Sequence, residues 1–257
     1  MLLSIRFCIC ALALLMSAST AQAEETTIYE LRIYHANPGK IADLETRFRD
    51  HTVDLFTKHG LTNVAYFRPT DDSDHRLIYL LSFPSVEAKA ASWKAFLNDP
   101  DWKKAYQNSI QEGRLISRIE SFTMKATDFS PALSQTESLT EGSRVFELRD
   151  YTATEGNLSH LHARFRDHTI GLFEKHGIHN VVYFELLEGE QTAENRLIYL
   201  ITHPSQQQAK ASFGEFRKDP AWHSARKASE AAAGGSLTIK GGVKSTFMRP
   251  VDFSPLK

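Results

Sequence analysis

The sequence contains two copies of one segment, and this repeat limits the folds open to the chain more than any other feature. Residues 47–60 read RFRDHTVDLFTKHG and residues 164–177 read RFRDHTIGLFEKHG, which are identical at 11 of 14 positions. Shorter matches follow in the same order: RLIYL at 76–80 and 196–200, DP at 99–100 and 219–220, and DFSP at 128–131 and 252–255. A repeat of this kind predicts two equivalent modules in one chain.

Both copies predict the same order of elements, β-α-β-β-α-β. Apolar residues alternate over 28–34 and 145–151, as in strands, whereas over 41–56 and 158–173 they recur at helical spacing. The remaining predicted strands are 63–67, 77–83 and 116–124 in the first copy, and 180–184, 197–202 and 243–248 in the second. This order is that of a ferredoxin-like module.

The middle strands indicate how the two modules associate. The segments NVAYF and LIYLLSF, with their counterparts NVVYF and LIYLIT, are apolar on both faces, which is typical of strands covered on both sides. Helices cover only one face of a ferredoxin-like sheet, so the other sheet is the natural cover for the second face. The predicted fold class is therefore α+β, with two ferredoxin-like (βαββαβ) modules forming an intramolecular dimeric α/β-barrel. The predicted modules span 24–131 and 144–257, and a linker rich in Ser, Thr, Glu and Gln spans 132–143.

The first residues predict export. Arg6 precedes an apolar run at 7–16, and Ala21-Gln22-Ala23 forms an A-x-A cleavage pattern before a polar chain. The run is too short to cross a bilayer, which takes about 20 residues in a helix. We therefore expect residues 1–23 to be a signal peptide, the mature protein to be periplasmic or secreted, and no integral membrane segment to remain after cleavage.

Composition excludes several function classes. Cys8 and Cys10 are the two cysteines of the chain and lie inside the leader, so the mature protein would have no cysteine nucleophile, cysteine-ligated zinc or iron–sulfur cluster. The formal net charge is −1 and no basic block occurs, so nucleic acid is not an expected partner. No set of His, Asp and Glu has metal-ligand spacing, and we predict no metal and no cofactor.

The ordered motifs also resemble a known family. The first copy carries YELRIY at 29–34, DPDW at 99–102 and FSP at 129–131, and the second carries FELRDY at 146–151, DPAW at 219–222 and FSP at 253–255. This set, present twice, resembles the NIPSNAP family. The resemblance implies the dimeric α/β-barrel fold, in agreement with the pattern of elements. It implies no particular reaction, because proteins of this fold include cofactor-free oxygenases and haem-binding proteins.

The candidate ligand-binding residues lie on the strands. Glu30 and Arg32 are two apart and share a strand face, as do Glu147 and Arg149. Facing into the barrel, each pair would line a cavity and orient an anionic or carbonyl-bearing ligand; the alternative is a structural ion pair near a sheet end. Four tyrosines of the apolar strands complete the candidate set, as pocket wall or as ordinary core residues: Tyr66, Tyr79, Tyr183 and Tyr199.

Two histidines are weaker candidates. His51 falls between Phe48 and Leu55 at helical spacing, and His168 repeats it, so both are expected on the apolar face of the first helix of their module. There each could be a general base or an axial haem ligand, or a hydrogen-bonded histidine beneath the sheet.

Three functions remain open from the sequence. The first is binding of a small organic ligand in the barrel cavity. The second is an enzyme of the cofactor-free oxygenase or isomerase type that uses the same cavity. The third is a protein-interaction module without a ligand, and self-association into a homo-oligomer is left open in every case.

Overall fold

A computed structural model describes residues 26–71, 73–133 and 144–257. The predicted signal peptide at 1–23 lies outside the described residues, as does the part of the predicted linker at 134–143. Among the helices that the structure describes, none has the length and apolar character needed to span a bilayer.

The first module forms the predicted β-α-β-β-α-β order, with a π-helical turn inside its first helix. Its elements are β1 (Ile28–Ala36), α1 (Ile41–Arg47), the π-helical turn (Phe48–Thr52), α2 (Val53–Lys58), β2 (Thr62–Pro69), β3 (Arg76–Phe83), α3 (Val86–Asn98), α4 (Pro100–Ser109) and β4 (Ile116–Ala126).

The second module repeats this order and adds a short 3-10 turn before its third strand. Its elements are β5 (Val145–Ala153), α5 (Leu158–Arg164), a π-helical turn (Phe165–Thr169), α6 (Ile170–Lys175), β6 (His179–Leu186), the 3-10 turn (Ala193–Asn195), β7 (Arg196–His203), α7 (Gln206–Lys218), α8 (Pro220–Ala232) and β8 (Thr238–Pro250).

Local sequence explains where the helices begin and end. Asp99 caps α4 by accepting hydrogen bonds from the backbone N–H groups of Asp101 (2.7 Å) and Trp102 (3.4 Å), and Pro100 occupies the first helical position, where its missing N–H costs nothing. Gly60 follows the end of α2 with a φ of 76°, a left-handed conformation that glycine adopts without strain. The DP and HG pairs of the second module stand at equivalent places.

The eight strands of the described residues close into one barrel, in the order β1-β3-β2-β8-β5-β7-β6-β4. Within each module the strands pair antiparallel, with Arg32 opposite Tyr79 and Arg149 opposite Tyr199. Two antiparallel junctions join the modules: β4 with β6 and β2 with β8. The predicted fold class is confirmed, because the sheets of the two modules pair at these junctions and form one barrel within a single chain.

The repeated DFSP motif connects each module to the other. Ser130, just after β4, accepts a hydrogen bond from the backbone N–H of Tyr183 (2.9 Å), and Ser254, after β8, accepts one from the backbone N–H of Tyr66 (2.9 Å). Each copy of the motif is therefore hydrogen-bonded to the middle of the second strand of the opposite module.

The barrel interior is filled, and the expectation of a ligand cavity there is wrong. Apolar side chains from both modules meet inside the barrel, and the void they leave has a volume of about 20 Å³. That volume has room for little more than one water molecule. The void is small because the two apolar sheet faces pack closely against each other, and aliphatic and aromatic side chains from both copies fill the space between them.

Candidate functional site

The Glu–Arg pairs lie on the outer face of the barrel, beneath the helices. Leu31 and Ile33 of β1 belong to the barrel interior, whereas Tyr34 packs in the layer between the sheet and the helices of the first module. Because side chains alternate along a strand, Glu30 and Arg32 share the face of Tyr34. The predicted common face is correct, but it looks away from the barrel interior.

Glu30 is buried at the centre of a hydrogen-bond network. Its Oε1 accepts from Arg32 Nη1 (2.8 Å) and from Ser121 Oγ (2.7 Å), and its Oε2 accepts from Trp93 Nε1 (2.7 Å). Burial by itself raises the pKa of a carboxyl, but Arg32, Ser121, Lys89 and Trp93 outweigh it and hold the pKa of Glu30 below its usual value. The carboxylate thus stays charged and fixes the Arg32 side chain.

In the second module, a histidine contacts the corresponding buried glutamate. Glu147 accepts from Arg149 Nη1 (2.6 Å) and Ser245 Oγ (2.5 Å), and His203 Nε2 lies 3.0 Å from its other oxygen. His203 stands in β7 where Phe83 stands in β3, as the pairing of Val145 with His203 and of Ile28 with Phe83 shows.

A phenylalanine replaces the tryptophan donor in that module. The Arg149 guanidinium lies 4.8 Å from the ring centre of Phe213, just as the Arg32 guanidinium lies 4.5 Å from the ring of Trp93. The third hydrogen-bond partner of the buried glutamate is therefore Trp93 in the first module and His203 in the second. The ring beside the arginine is that of Trp93 in the first module and that of Phe213 in the second.

The four candidate tyrosines are core residues of the helix–sheet layers. Tyr66 stacks on Tyr79 with ring centres 5.4 Å apart, and Tyr183 stacks on Tyr199 at 4.8 Å. All four are almost fully buried, and burial raises the pKa of each hydroxyl well above its ordinary value. The Tyr66 hydroxyl donates to Asn63 and the Tyr183 hydroxyl donates to Asn180. None of the four lines either of the two large cavities described below.

His51 and His168 are both exposed, so the expectation that they lie on the apolar helix face is wrong. The π-helical turns are the reason. A π-turn adds one residue to a helical turn, which rotates His51 to solvent and turns Thr52 and Phe56 toward the sheet. Neither histidine lines the two large cavities of the helix–sheet layers, and His51 lies instead at an open surface pocket of about 350 Å³.

A threonine stabilises each of these turns. Thr52 Oγ1 donates to the backbone carbonyl of Arg47 (3.1 Å), five residues earlier, and Thr169 does the same to Arg164 (3.0 Å). The widened turn leaves Arg47 and Thr52 on one side, facing the sheet, and both residues line the cavity beneath them. The repeated RFRDHT segment is the sequence signal that could have drawn attention to this turn.

The cavity between the sheet and the helices of the first module, hereafter the first-module cavity, has a volume of about 720 Å³. Four arginines and seven aromatic residues line it: Arg32, Arg47, Arg114, Arg118, Tyr34, Phe48, Phe56, Trp93, Phe96, Trp102 and Tyr106. Among the described residues that line it there is no carboxylate and no histidine. Such a wall combines positive charge with flat apolar surfaces.

Arg47 is the residue in this cavity that the sequence reasoning missed. It is 4% exposed, its guanidinium packs over the rings of Trp102 (5.4 Å) and Tyr106 (5.6 Å), and its Nη1 donates to Ser109 Oγ (3.2 Å). Among the described residues no carboxylate lies within ion-pair distance of Arg47, and its Nε has no hydrogen-bond partner. Burial accordingly lowers the pKa of Arg47 from its ordinary value.

The equivalent second-module cavity is smaller, with a volume of about 310 Å³. Its lining repeats four residues of the first-module cavity: Arg149, Arg164, Thr169 and Trp222 occupy the places of Arg32, Arg47, Thr52 and Trp102. Its outer part differs, since Glu230 and three charged or ionisable side chains beside it, Arg217, His223 and Arg226, line the opening.

Comparisons with known proteins agree with the fold. A sequence profile of the NIPSNAP family matches residues 29–131 and 146–255. No curated protein matches the chain. Among solved structures, an uncharacterized NIPSNAP-like domain protein from Burkholderia xenovorans is 21% identical, with 43% of this chain and 93% of that chain covered and a TM-score of 0.38.

Two other solved structures match across both modules. A putative monooxygenase from Fusobacterium nucleatum is 11% identical, with 91% of this chain and 94% of that chain covered and a TM-score of 0.53. An anthrone oxidase-like protein is 14% identical, with 91% of this chain and 95% of that chain covered and a TM-score of 0.57. At these identities the likeness concerns the fold alone.

Proposed function

The chain belongs to the NIPSNAP family, and we propose that it binds a small organic anion with an apolar body in the first-module cavity. The volume of about 720 Å³ falls in the range of small-molecule sites, roughly 300–1,000 Å³. The proposed ligand carries a carboxylate or a comparable acidic group, and its apolar part lies against the aromatic wall.

The observation that carries this proposal is the buried guanidinium of Arg47. An isolated buried charge is costly, and buried charges in proteins are normally paired. Arg47 has a hydroxyl and two aromatic rings as neighbours but no described carboxylate at ion-pair distance. An acidic ligand group would supply the missing charge, and a guanidinium binds a carboxylate through two parallel hydrogen bonds.

The residues that line the first-module cavity favour binding over catalysis. Proton transfer in an oxygenase or isomerase without a cofactor requires a positioned acid or base, most often His, Glu or Asp. The described residues that line the first-module cavity include no His, Glu or Asp, and Tyr34 and Tyr106 are the side chains there that belong to the less common acid–base types. The hydroxyls of Tyr34, Tyr106 and Ser117 are among its neutral polar groups, and they suit hydrogen bonding to a ligand.

The experiment uses native mass spectrometry of the full chain, purified from the compartment in which it accumulates, together with titration of the fluorescent organic anion 1-anilinonaphthalene-8-sulfonate. We expect a co-purifying acidic small molecule, and saturable probe binding that Arg47→Met weakens by about tenfold or more, as the loss of a charge-assisted contact predicts.

Arg49→Met is the matched control, because Arg49 is two residues away on the same helix but is exposed and bound to Asp252. Equal probe affinity in the wild type and in Arg47→Met would overturn the proposal, and so would equal losses in the two variants.

We also propose that the protein acts outside the cytoplasm, after removal of residues 1–23. The support is the apolar run and the A-x-A pattern in the leader. The mass of the mature N-terminus is the test: a chain that begins at Glu24 is expected, and an intact leader on the exported protein would refute this part of the proposal.

A further inference from the structure

The two cavities have the same floor but different outer walls. In both, an arginine of the first helix lies beneath a tryptophan of the last helix, Arg47 with Trp102 and Arg164 with Trp222. At the equivalent outer positions of the α3–α4 and α7–α8 helices the residue types differ. Leu97, Tyr106 and Ile110 of the first-module cavity correspond to Arg217, Arg226 and Glu230 of the second.

Arg164 is a buried cation that lacks a partner of its own. It is 7% exposed, its Nε has no hydrogen-bond partner, and it lines the second-module cavity. Its guanidinium lies 5.2 Å from the ring centre of Trp222. Among the described residues no carboxylate is within ion-pair distance of it. Burial lowers the pKa of Arg164, and Tyr151 and Glu230 oppose that effect.

Glu230 places a negative charge at the outer part of the same cavity. Its Oε1 accepts a hydrogen bond from Arg226 Nε (2.9 Å), one helical turn earlier in α8. The Arg226 side chain is 56% exposed, and exposed i,i+4 pairs contribute little stability. A carboxylate has several lone pairs, so Glu230 can accept a further hydrogen bond from a ligand without leaving Arg226.

We propose that the second-module cavity binds a small zwitterion of the amino-acid type. Arg164 holds the carboxylate of the ligand, Glu230 accepts the ammonium group, and the rings of Phe213 and Trp222 contact the apolar side chain. The smaller volume of about 310 Å³ fits a compact ligand of this class.

This assignment separates the two cavities by charge. An organic anion can bind Arg164 in the second-module cavity and is attracted by Arg217 and Arg226 at its outer part, but it offers Glu230 no cationic group. A zwitterion satisfies both groups, whereas in the first-module cavity its ammonium group would meet arginines and apolar side chains and find no carboxylate on the described lining. The inference rests on Arg164 and Glu230 and stands independently of the ligand proposed for the first-module cavity.

The test is calorimetric titration of the full-length mature protein with the standard L-amino acids, each compared with its deaminated and its decarboxylated analogue, for example L-phenylalanine with 3-phenylpropionate and 2-phenylethylamine. We expect at least one amino acid to bind about tenfold or more tightly than either analogue, because each analogue lacks one charge-assisted contact. Binding by none of the amino acids, or equal binding of amino acid and deaminated analogue, would overturn the proposal.

Two variants and one control locate the site. Glu230→Gln is expected to remove the preference for the amino acid over its deaminated analogue, and Arg164→Met to remove the preference over the decarboxylated one. Arg166→Met changes an exposed arginine that lies two residues from Arg164 and is bound to Asp128, and it is expected to leave both preferences unchanged. If Arg47→Met abolishes amino-acid binding while Arg164→Met does not, the ligand occupies the first-module cavity and the assignment to the second is wrong.

Discussion

Arg49 of the first module and Asp252 at the end of the second form a two-point ion pair, with Nε 2.8 Å from Oδ2 and Nη2 2.8 Å from Oδ1. The reciprocal pair joins Arg166 to Asp128, with nitrogen–oxygen distances of 3.0 and 2.6 Å. Both arginines come from the RFRDHT segment and both aspartates from DFSP. The two repeated motifs are therefore partners across the modules, and each module is completed by the tail of the other.

Ser254→Ala is expected to destabilise the protein, because Ser254 Oγ accepts from the backbone N–H of Tyr66 and donates to the backbone carbonyl of Leu256 (2.8 Å) in a buried setting. An unsatisfied buried backbone group costs about 1–3 kcal/mol. Urea denaturation measures the change. Asp252→Ala removes an exposed ion pair and an exposed hydrogen bond from the backbone N–H of Phe253, so this control should have a much smaller effect. The opposite ranking would contradict this account of the tail.

Separation of the modules is expected to expose the apolar sheet face. A fragment of residues 24–131 retains Leu31, Ile33 and Leu80 on the barrel face but loses the opposite sheet that covers them. A large exposed apolar patch favours association. Light scattering should show a dimer or larger aggregates. A stable monomeric fragment would mean that the two sheets do not depend on each other.

Trp93→Phe is expected to lower the free energy of unfolding by about 1–3 kcal/mol, since Glu30 Oε2 loses its donor while buried. Phe83→His supplies the donor that His203 provides to Glu147 in the other module.

The double variant Trp93→Phe/Phe83→His should accordingly be more stable than the sum of the two single changes predicts. Couplings between residues in contact are about 0.5–3 kcal/mol. Denaturant titration of the four proteins in this cycle measures the coupling, and strict additivity would show that the two carboxylate networks are not interchangeable.

Arg32→Met is expected to lower the stability of the ligand-free protein, whereas Arg47→Met is not. Arg32 neutralises Glu30, so its removal leaves a buried carboxylate short of its main partner and should cost roughly 3–5 kcal/mol. Arg47 has no such partner among the described residues, so Met at this position should leave the stability of the ligand-free protein unchanged or raise it. Thermal unfolding of ligand-free samples is the measurement. A large loss of stability in Arg47→Met would show that Arg47 has a structural role.

Acid should destabilise the protein through the two buried carboxylates. The folded protein holds the pKa values of Glu30 and Glu147 below the ordinary value of a glutamate carboxyl, which the unfolded chain approximates. A lowered folded-state pKa contributes stability above the unfolded value, and this contribution is lost as the pH falls through the folded value.

Urea titrations between about pH 6 and pH 3 should therefore show a falling free energy of unfolding below the unfolded pKa, with a shallower slope in the double variant Glu30→Gln/Glu147→Gln. Some slope should remain, since the pKa values of Asp99 and Asp219 are lowered as well. Identical slopes in the wild type and the variant would exclude the two glutamates as the cause.

The sequence alone determined the two modules, the order of elements and the closed barrel. These follow from local periodicity and from the requirement that strands apolar on both faces be covered on both sides. Both signals are visible in the spacing of residues along the chain. The period of two along β1 also placed Glu30 and Arg32 on one face. Family membership was predictable from the same motifs.

Only the tertiary structure decided which face of the sheet lies inside the barrel. The apolar faces fill the interior, so the Glu–Arg pairs face the helices, and Arg32 lines the first-module cavity together with Arg47. It also decided the helix register, since a single extra residue in the π-turn moved His51 to solvent and Thr52 inward. Both outcomes depend on how whole faces pack against each other, which local spacing does not contain.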